Sequence, residues 1–587
     1  MDYAQVDLDR PHTPDNEPIR TRYRKKNGTI KERSAVFLVC VTAMSLFGYD
    51  QGLFGGILVG DKFLEQFNDP SPGVQGFVTS IYDVGCFVGC LLCIFVGEIL
   101  GRRRTIMLGV TIMSIGAILQ TFSTTIGELA WGRFIAGIGN GFNTATAPVY
   151  HSEVSEAHDR GKAVVLEMFI NVLGFVISNW TTLVFSSVRS NLQWRIPLAG
   201  QLVFAAIIVV TLPFAPESPR WMMMHGKREE GLVIIAQLDG MDVKSDRVQQ
   251  EGAKIIESIE LEGKNQIRWL DMFKGKDENS VFWRAFLGIG LQAMQQLTGI
   301  NVVAYYFPVV LQKSVGISEK WSRIIAAFNS ISFCISTLIP YLLIEKLGRR
   351  ALLLGLSVIM TLCFLCASIF LGVVDNKPSF AHVGGILAVV AFVLFFISFG
   401  AGWCAIPWLY PAEINSIGMR TKGAALASAS DWLFNYFIVQ LTPLGIHHLR
   451  WKFYIIFFIL NASFIPLVYL FYPETAGKSL EEIDLMFTGE KRYIVSGVQS
   501  KLITNRPITR DIEEMSLINQ HDRSENENVP SGEGKSNRTN RYDSDDEQDL
   551  ADDENYALGS DSDEADNNDF DYGESKHLTL SDGNYKH

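Results

Sequence analysis

Charge is scarce in most of this chain. Only 19% of its 587 residues are Asp, Glu, Lys or Arg, 48% are hydrophobic, and the mean hydropathy is positive at +0.16. A soluble fold would need a very large core to hide that much apolar sequence. Cysteine is sparse too. All eight (40, 86, 90, 93, 334, 363, 366 and 404) fall in apolar stretches, so the Cys90/Cys93 and Cys363/Cys366 spacings read as small apolar residues at helical intervals. There is no recognisable nucleophile–base pair, nucleotide-binding loop or metal-ligand cluster, so an enzyme, cofactor-dependent or nucleic-acid-binding reading has no support. The first 34 residues are polar and lack an apolar core, so no cleavable signal peptide is expected.

One stretch lacks basic residues altogether. Between Asp543 and Glu574 there are fifteen acids and no Lys or Arg, and without them the net charge of −12 becomes +3. The tail from about Gly489 is acidic and poor in large apolar residues, and it reads as disordered. Its acid run suits solvation or regulation, with regulatory proteins as possible partners, better than a ligand site.

What the chain does have is apolar blocks near 20 residues long, the length that crosses a bilayer. Twelve are expected, at about 35–57, 74–97, 105–123, 127–148, 163–185, 196–215, 284–308, 322–344, 351–373, 384–409, 423–443 and 452–472. The basic residues Arg20–Arg33, Arg102–Arg104 and Arg349–Arg350 then place both termini and the Gly-Arg-Arg loops in the cytosol. The expected division is a tail at 1–34, a six-helix half at 35–215, a cytosolic linker at 216–282, a second half at 283–473 and a tail at 474–587. Within the linker, helices are expected near Glu229–Leu238 and Ser245–Leu261.

Three elements occur twice, in order. GEILGRR at 97–103 matches IEKLGRR at 344–350, with Glu98 and Glu345 each three residues before a glycine. Glu153 and Arg160 are seven apart, as are Glu413 and Arg420. Pro216-Glu217 matches Pro473-Glu474. Offsets of 247, 260 and 257 residues mark a duplicated unit of two pseudo-symmetric halves, which in a membrane protein points to halves rocking about a central site. Lying at the cytosolic ends of spans, Glu98, Arg102, Arg103, Glu153, Arg160, Glu217, Glu345, Arg349, Arg350, Glu413, Arg420 and Glu474 are expected to act as a gate. Their ion pairs would tie the halves together when the cavity faces outward.

Polar residues at membrane depth are costly and default to functional hypotheses. Asp50 in span 1 and Arg133 in span 4 form a candidate coupling pair: an arginine that approaches or leaves a carboxylate changes its proton affinity. A permanent ion pair that fastens two helices is the alternative. Asp83, Glu167 and Asp431 are further acids at that depth, expected to face the cavity and hydrogen-bond a polyhydroxy ligand or to titrate, with Glu167 and Asp431 counted among the substrate contacts. In span 7, Gln295, Gln296 and Asn301 are expected to share a face whose amides both donate to and accept from a neutral polyol. Asn329 and Asn435 add amides, and Trp408 and Trp432 offer aromatic faces for a sugar ring.

Taken together, FGYDQG (47–52), GEILGRRR (97–104), GRFIAGIGNG (132–141), PVYHSEVSEAHDRG (148–161), PESPRW (216–221), QQLTGIN (295–301), EKLGRR (345–350), PWLYPAEI (407–414) and PETAGKSLEEID (473–484) resemble the sugar porter family of the major facilitator superfamily. The likeness is greatest to its fungal proton-linked hexose and polyol branch and covers about residues 35–488. It implies an all-α membrane protein of twelve transmembrane helices in two six-helix halves with a cytosolic helical insert. It further implies alternating access at the plasma membrane, with sugar contacts at Gln295, Gln296, Asn301, Asn329, Trp408 and Asn435, and proton coupling through Asp50 and Arg133. Three departures stand out: Glu167-Met168 where many hexose transporters have a glutamine, Asp431 where asparagine is usual before the tryptophan, and Trp403 and Ala405 in place of prolines in span 10. The first two admit fructose, a pentose or a polyol as substrate. A facilitator or a non-transporting sensor with a long tail remains an alternative to a symporter.

Overall fold

The computed structural model describes residues 29–154, 160–264, 280–376, 380–416, 419–478 and 480–487. The acidic tail, its serines and any regulatory contact there fall outside these residues. Residues 29–487 contain helices and turns, and no strand appears among the described residues. The first half comprises α1 (Thr29–Ile57), a short α2 (Asp61–Gln66), α3 (Pro72–Leu100), α4 (Arg102–Phe122), α5 (Ile126–Val154), α6 (Arg160–Phe185) and a broken sixth span, α7 (Leu192–Ala199) with α8 (Gln201–Thr211). Three short helices follow: α9 (Pro219–Met224), α10 (Arg228–Asp239) and α11 (Asp246–Lys264). The second half opens on a broken span, α12 (Val281–Leu297) and α13 (Ile300–Val310). It continues with α14 (Glu319–Ser336), α15 (Ile339–Leu347), α16 (Arg349–Asn376), α17 (Ala381–Ser398), α18 (Ile406–Ile414), α19 (Arg420–Leu449), α20 (Phe453–Phe471) and α21 (Leu480–Phe487).

Nine stretches among the described residues are long and apolar enough to cross a membrane by length and composition. One of them, Lys422–Phe471, holds both α19 and α20. The polar helix α5 and the broken pair α12–α13 supply two more, an arrangement consistent with twelve crossings. Burial is inverted relative to a soluble protein. Phe95, Ile99, Phe122 and Phe214 are each 70–73% exposed, whereas Asp50, Asp83 and Arg133 are 0% exposed. Lipid solvates the first set, and the second must find partners inside the bundle.

Glycines let the helices of the first half approach closely, as membrane helices do where small residues face each other. Gly85 and Gly89 of α3 lie against Gly137 and Gly141 of α5, and a Cβ added at Gly137 would overlap the Tyr82 carbonyl. That contact sets Arg133, one turn before Gly137, directly against α3. The linker helices form as expected. Ser218 Oγ caps α9 by accepting from Trp221 N at 3.1 Å. Met223, Leu232, Ile235, Ala236 and Val248 make a separate small core, and Arg33 of α1 pairs with Asp239 at 2.6 Å.

Hydrogen bonds join the halves at Asn435–Asp83, Ser80–Gln440 (2.8 Å), Gln440–Gly73 and Arg323–Thr182. All lie between mid-membrane and the end opposite the Gly-Arg-Arg turns.

Gly137→Leu is therefore expected to separate α3 from α5 and to lower sharply the yield of monodisperse protein in detergent. Gly127→Leu, where an added Cβ meets nothing within 4 Å, is the tolerated control.

Candidate functional site

The duplicated elements assemble into one cluster per half. Gly101 and Gly348 each take a positive φ, +82° and +87°, and turn one helix directly into the next. The first amides of the following helix have no partner within it. Glu217 supplies one: its Oε1 accepts from Arg102 N (2.8 Å), Arg103 N (3.2 Å) and Ser218 N (3.0 Å). Glu474 does the same for Arg349 N (2.8 Å) and Arg350 N (3.0 Å). A Cβ at either glycine would press on that glutamate. Arg102 grips Glu153 through Nε and Nη2 at 2.9 and 2.8 Å, and Arg349 holds Glu413 at 2.8 Å and Glu345 at 3.0 Å. Tyr150 donates to the Pro216 carbonyl, and Tyr410 to that of Pro473 at 3.0 Å. Arg350 also reaches the Tyr469 carbonyl and lies over the Tyr469 ring. The Glu98 carbonyl accepts from Trp221 Nε1 at 2.7 Å.

The gate charges are expected to tie the halves together when the cavity faces outward; in this conformation they pair inside each half. The pairs Arg102–Glu153, Arg349–Glu345 and Arg349–Glu413 each close within one half. The capping acids Glu217 and Glu474 likewise follow the last span of their own half and fold back onto that half's turn. The side chains of Arg160 and Arg420 lie outside the described ones.

At mid-membrane Arg133 Nη1 donates to both oxygens of Asp50, at 3.0 and 2.8 Å, and Nη2 donates to the Thr79 carbonyl at 3.0 Å. The guanidinium sits between the rings of Phe54 and Tyr82, 4.3 and 4.2 Å from their centroids. The second half faces this pair with a chain of amides. Gln296 donates to Asp431 (2.5 Å), Asn301 donates to Gln296 and to Asn435 (2.6 Å), and Asn435 donates across the junction to Asp83 (3.1 Å).

Six residues on a straight helix turn about 600°, so Gln295 and Asn301 would point about 120° apart. They do not share a face of one helix, as the sequence suggested. Gly299, with φ +90°, breaks the span and swings Asn301 back beside Gln296. Gln295 is turned differently: its Nε2 donates to the carbonyls of Trp403 (2.7 Å) and Cys404 (3.1 Å), leaving Oε1 buried without a partner. Asn329 Oδ1, Tyr305 OH and Trp432 Nε1 are also buried and unpartnered. Buried polar atoms without partners are what a polyhydroxy ligand can satisfy. Trp408 is half-buried and Trp432 packs on Phe47, with ring centroids 5.2 Å apart. Trp403 serves packing instead, its Nε1 donating to Ser357 Oγ at 3.1 Å. Glu167 is paired with His151 at 2.6 Å. His151 went unnoticed in the sequence because the two sit on different helices and no spacing rule links them.

Two matching helical halves, with an amide chain and a buried ion pair where they meet, define a membrane transporter of the major facilitator fold. The chain belongs to the family described as sugar (and other) transporters, whose pattern residues 35–487 match. It is 42% identical over 80% of its length to the MFS-type transporter oryC of Aspergillus oryzae, covering 88% of that protein. It is 35% identical to the sugar transporter STL1 of Saccharomyces cerevisiae, over 78% of this chain and 81% of the relative. It is 32% identical to the high-affinity glucose transporter 1 of Candida albicans, over 76% and 84%. Among solved structures, the proton:xylose symporter XylE bound to 6-bromo-6-deoxy-D-glucose shares the fold, with TM-score 0.64, 24% identity, and coverage of 78% of this chain and 100% of that one.

Arg349→Ala would leave Glu413 and Glu345 without their cation. Because Glu345 is 49% exposed, water offsets part of the loss, and a destabilisation of about 2 kcal/mol is expected. Arg349→Lys, which keeps the charge but loses the fork, is expected to recover less than half of it. Thermal unfolding of the purified variants in detergent measures both.

Proposed function

We propose that this protein is a proton-coupled symporter that takes up a small neutral polyhydroxy compound, a monosaccharide such as fructose or glucose or else a polyol or pentose, across the plasma membrane. The observation that carries this reading is the amide chain Gln296–Asn301–Asn435. It ends on a carboxylate at each side, one of them in the other half, within a site where further polar atoms lack partners. A sugar's hydroxyls both give and take hydrogen bonds, and they can replace these internal bonds one for one. Gln295, Gln296, Asn301, Asn329, Asn435, Asp431 and Trp408 are the proposed ligand contacts. Glu167 acts there through its pairing with His151.

With the Gly-Arg-Arg turns in the cytosol, as the excess of basic residues favours, both termini are cytosolic and the bonds between the halves lie on the outer side. This conformation then has its outer gate closed. Alternating access follows when the halves rock about the site, each carrying its own rigid charge cluster. Glu217 and Glu474 keep the turns stiff, so that motion at the site is transmitted to the gate. The coupling proton binds at Asp50, where a carboxylate held by Arg133 in one conformation and less closely in the other changes its proton affinity. Names among the relatives support the substrate class: sugar transporter and high-affinity glucose transporter. Another relative, 29% identical, is the high glucose sensor RGT2 of Saccharomyces cerevisiae, which keeps a non-transporting reading as the outcome to test against.

The test is uptake of labelled glucose, fructose, xylose and glycerol by transporter-deficient yeast expressing the chain, with external pH recorded. Accumulation above equilibrium with external alkalinisation is expected for at least one of them. Uptake that halts at equilibrium without a pH change would make it a facilitator. No uptake with the protein at the cell surface would favour the sensor. On the substrate found, Gln296→Ala is expected to raise the apparent KM about 2- to 10-fold, from ~0.5–1.5 kcal/mol per lost hydrogen bond.

A further inference from the structure

Asp83 is buried to 0% exposure on α3, and only half of its carboxylate is used. Oδ1 accepts from Asn435 of the other half at 3.1 Å, while Oδ2 has no partner. Close by, Arg133 has spent Nη1 on Asp50 and Nη2 on the Thr79 carbonyl, but its Nε is buried and also without a partner. Thr79 lies one helical turn before Asp83. A helical side chain leans over the turn that precedes it, so the Asp83 carboxylate lies toward the carbonyl that Arg133 already grips. The two groups interact electrostatically. The guanidinium carbon lies 4.3 and 4.2 Å from the ring centroids of Phe54 and Tyr82, so aromatic rings rather than competing acceptors line its surroundings on those sides. An unmet donor and an unmet acceptor thus share one dry site.

We propose that Asp83 is a second acceptor for Arg133 and links proton binding to sugar binding. While Asp50 is ionised it holds Arg133, and Asp83 is left to Asn435. When Asp50 takes up a proton its hold weakens, and the arginine moves to Asp83, the remaining carboxylate within reach. Asp83 then no longer needs the Asn435 amide. Asn435 is released together with Asn301, which leans on it, to bind a hydroxyl. No covalent bond changes in this step: one proton is added at Asp50 and the arginine exchanges carboxylates. The groups that face Asp83 are Asp50 of α1, Cys86 of α3 itself, Arg133 of α5, Tyr305 and Tyr306 of α13, and Asp431 of α19. Only one of them is a cation, so the competition is between Asp50 and Asp83 for Arg133. The inference rests on the proton-coupled reading above.

The experiment compares wild type, Asp83→Asn, Asp83→Glu and Asp83→Ala in the full chain reconstituted into liposomes. It measures proton-driven accumulation and sugar counterflow, across pH 5 to 8. The asparagine variant keeps an acceptor for Asn435 but offers Arg133 no charge. It is expected to lose accumulation at least ten-fold more than it loses counterflow, and to flatten the pH dependence of sugar KM. Asp83→Glu is expected to restore most of both, and Asp83→Ala to lose both. Equal losses of accumulation and counterflow in Asp83→Asn would mean a packing role and overturn the proposal. A wild-type accumulation ratio and pH profile in that variant would overturn it as well. Wild-type protein that never accumulates sugar would instead refute the symport reading itself, a result distinguishable from both.

Discussion

A charge pair with no access to water governs how this bundle is built. Asp50 and Arg133 are 2.8 Å apart with side chains 0% exposed. Taking two such ions out of water costs several kcal/mol each, and their attraction offsets this only with good geometry and further hydrogen bonds. Both conditions constrain the fold. Because α5 approaches α3 glycine against glycine, Arg133 Nη2 is satisfied by the Thr79 carbonyl of α3, while Nη1 meets both oxygens of Asp50 on α1. The rings of Phe54 and Tyr82 close over the guanidinium faces, an arrangement that suits arginine and would not suit lysine. A pair so enclosed is a weak device for stability, since an apolar pair would serve as well. Its place beside the amide chain makes sense if its proton occupancy controls something.

The charges at the other end follow a different logic. They lie at the polar ends of helices, and each half repeats one design: a glycine turn, two arginines, and an acid from after the last span that caps the new helix. The same three contacts recur in both halves, down to the tyrosine that holds the proline before the capping acid. Such clusters make each half a stiff body. Stiffness matters because a small shift at a central site reaches a distant gate only if the elements between do not deform.

Much of this was legible in the chain. The apolar blocks gave the spans, the ordered repeats gave two halves, and the linker helices α10 and α11 fall where amphipathic spacing placed them. The acids and amides at membrane depth were visible because charge there is conspicuous. The sequence does not carry pairing. Nothing in it says that Arg102 turns to Glu153 of its own half, that Glu167 meets His151, or that Gln295 faces the Trp403 carbonyl. Those contacts depend on helix rotation, which a single sequence leaves open. The Gly299 break shows the reason well. A two-residue interruption altered the direction of Asn301 enough to put it against Gln296, against the straight-helix count.

The central claim is that Asp50 carries the coupled proton. The most direct test is Asp50→Asn in the full chain, comparing proton-driven accumulation with counterflow of the same labelled sugar at equal pH on both sides. An asparagine keeps the shape and can still accept from Arg133, but it cannot titrate. Accumulation should vanish while counterflow persists in part. Accumulation that survives at the wild-type ratio would contradict the account and return Asp50 and Arg133 to the role of a permanent helix fastener.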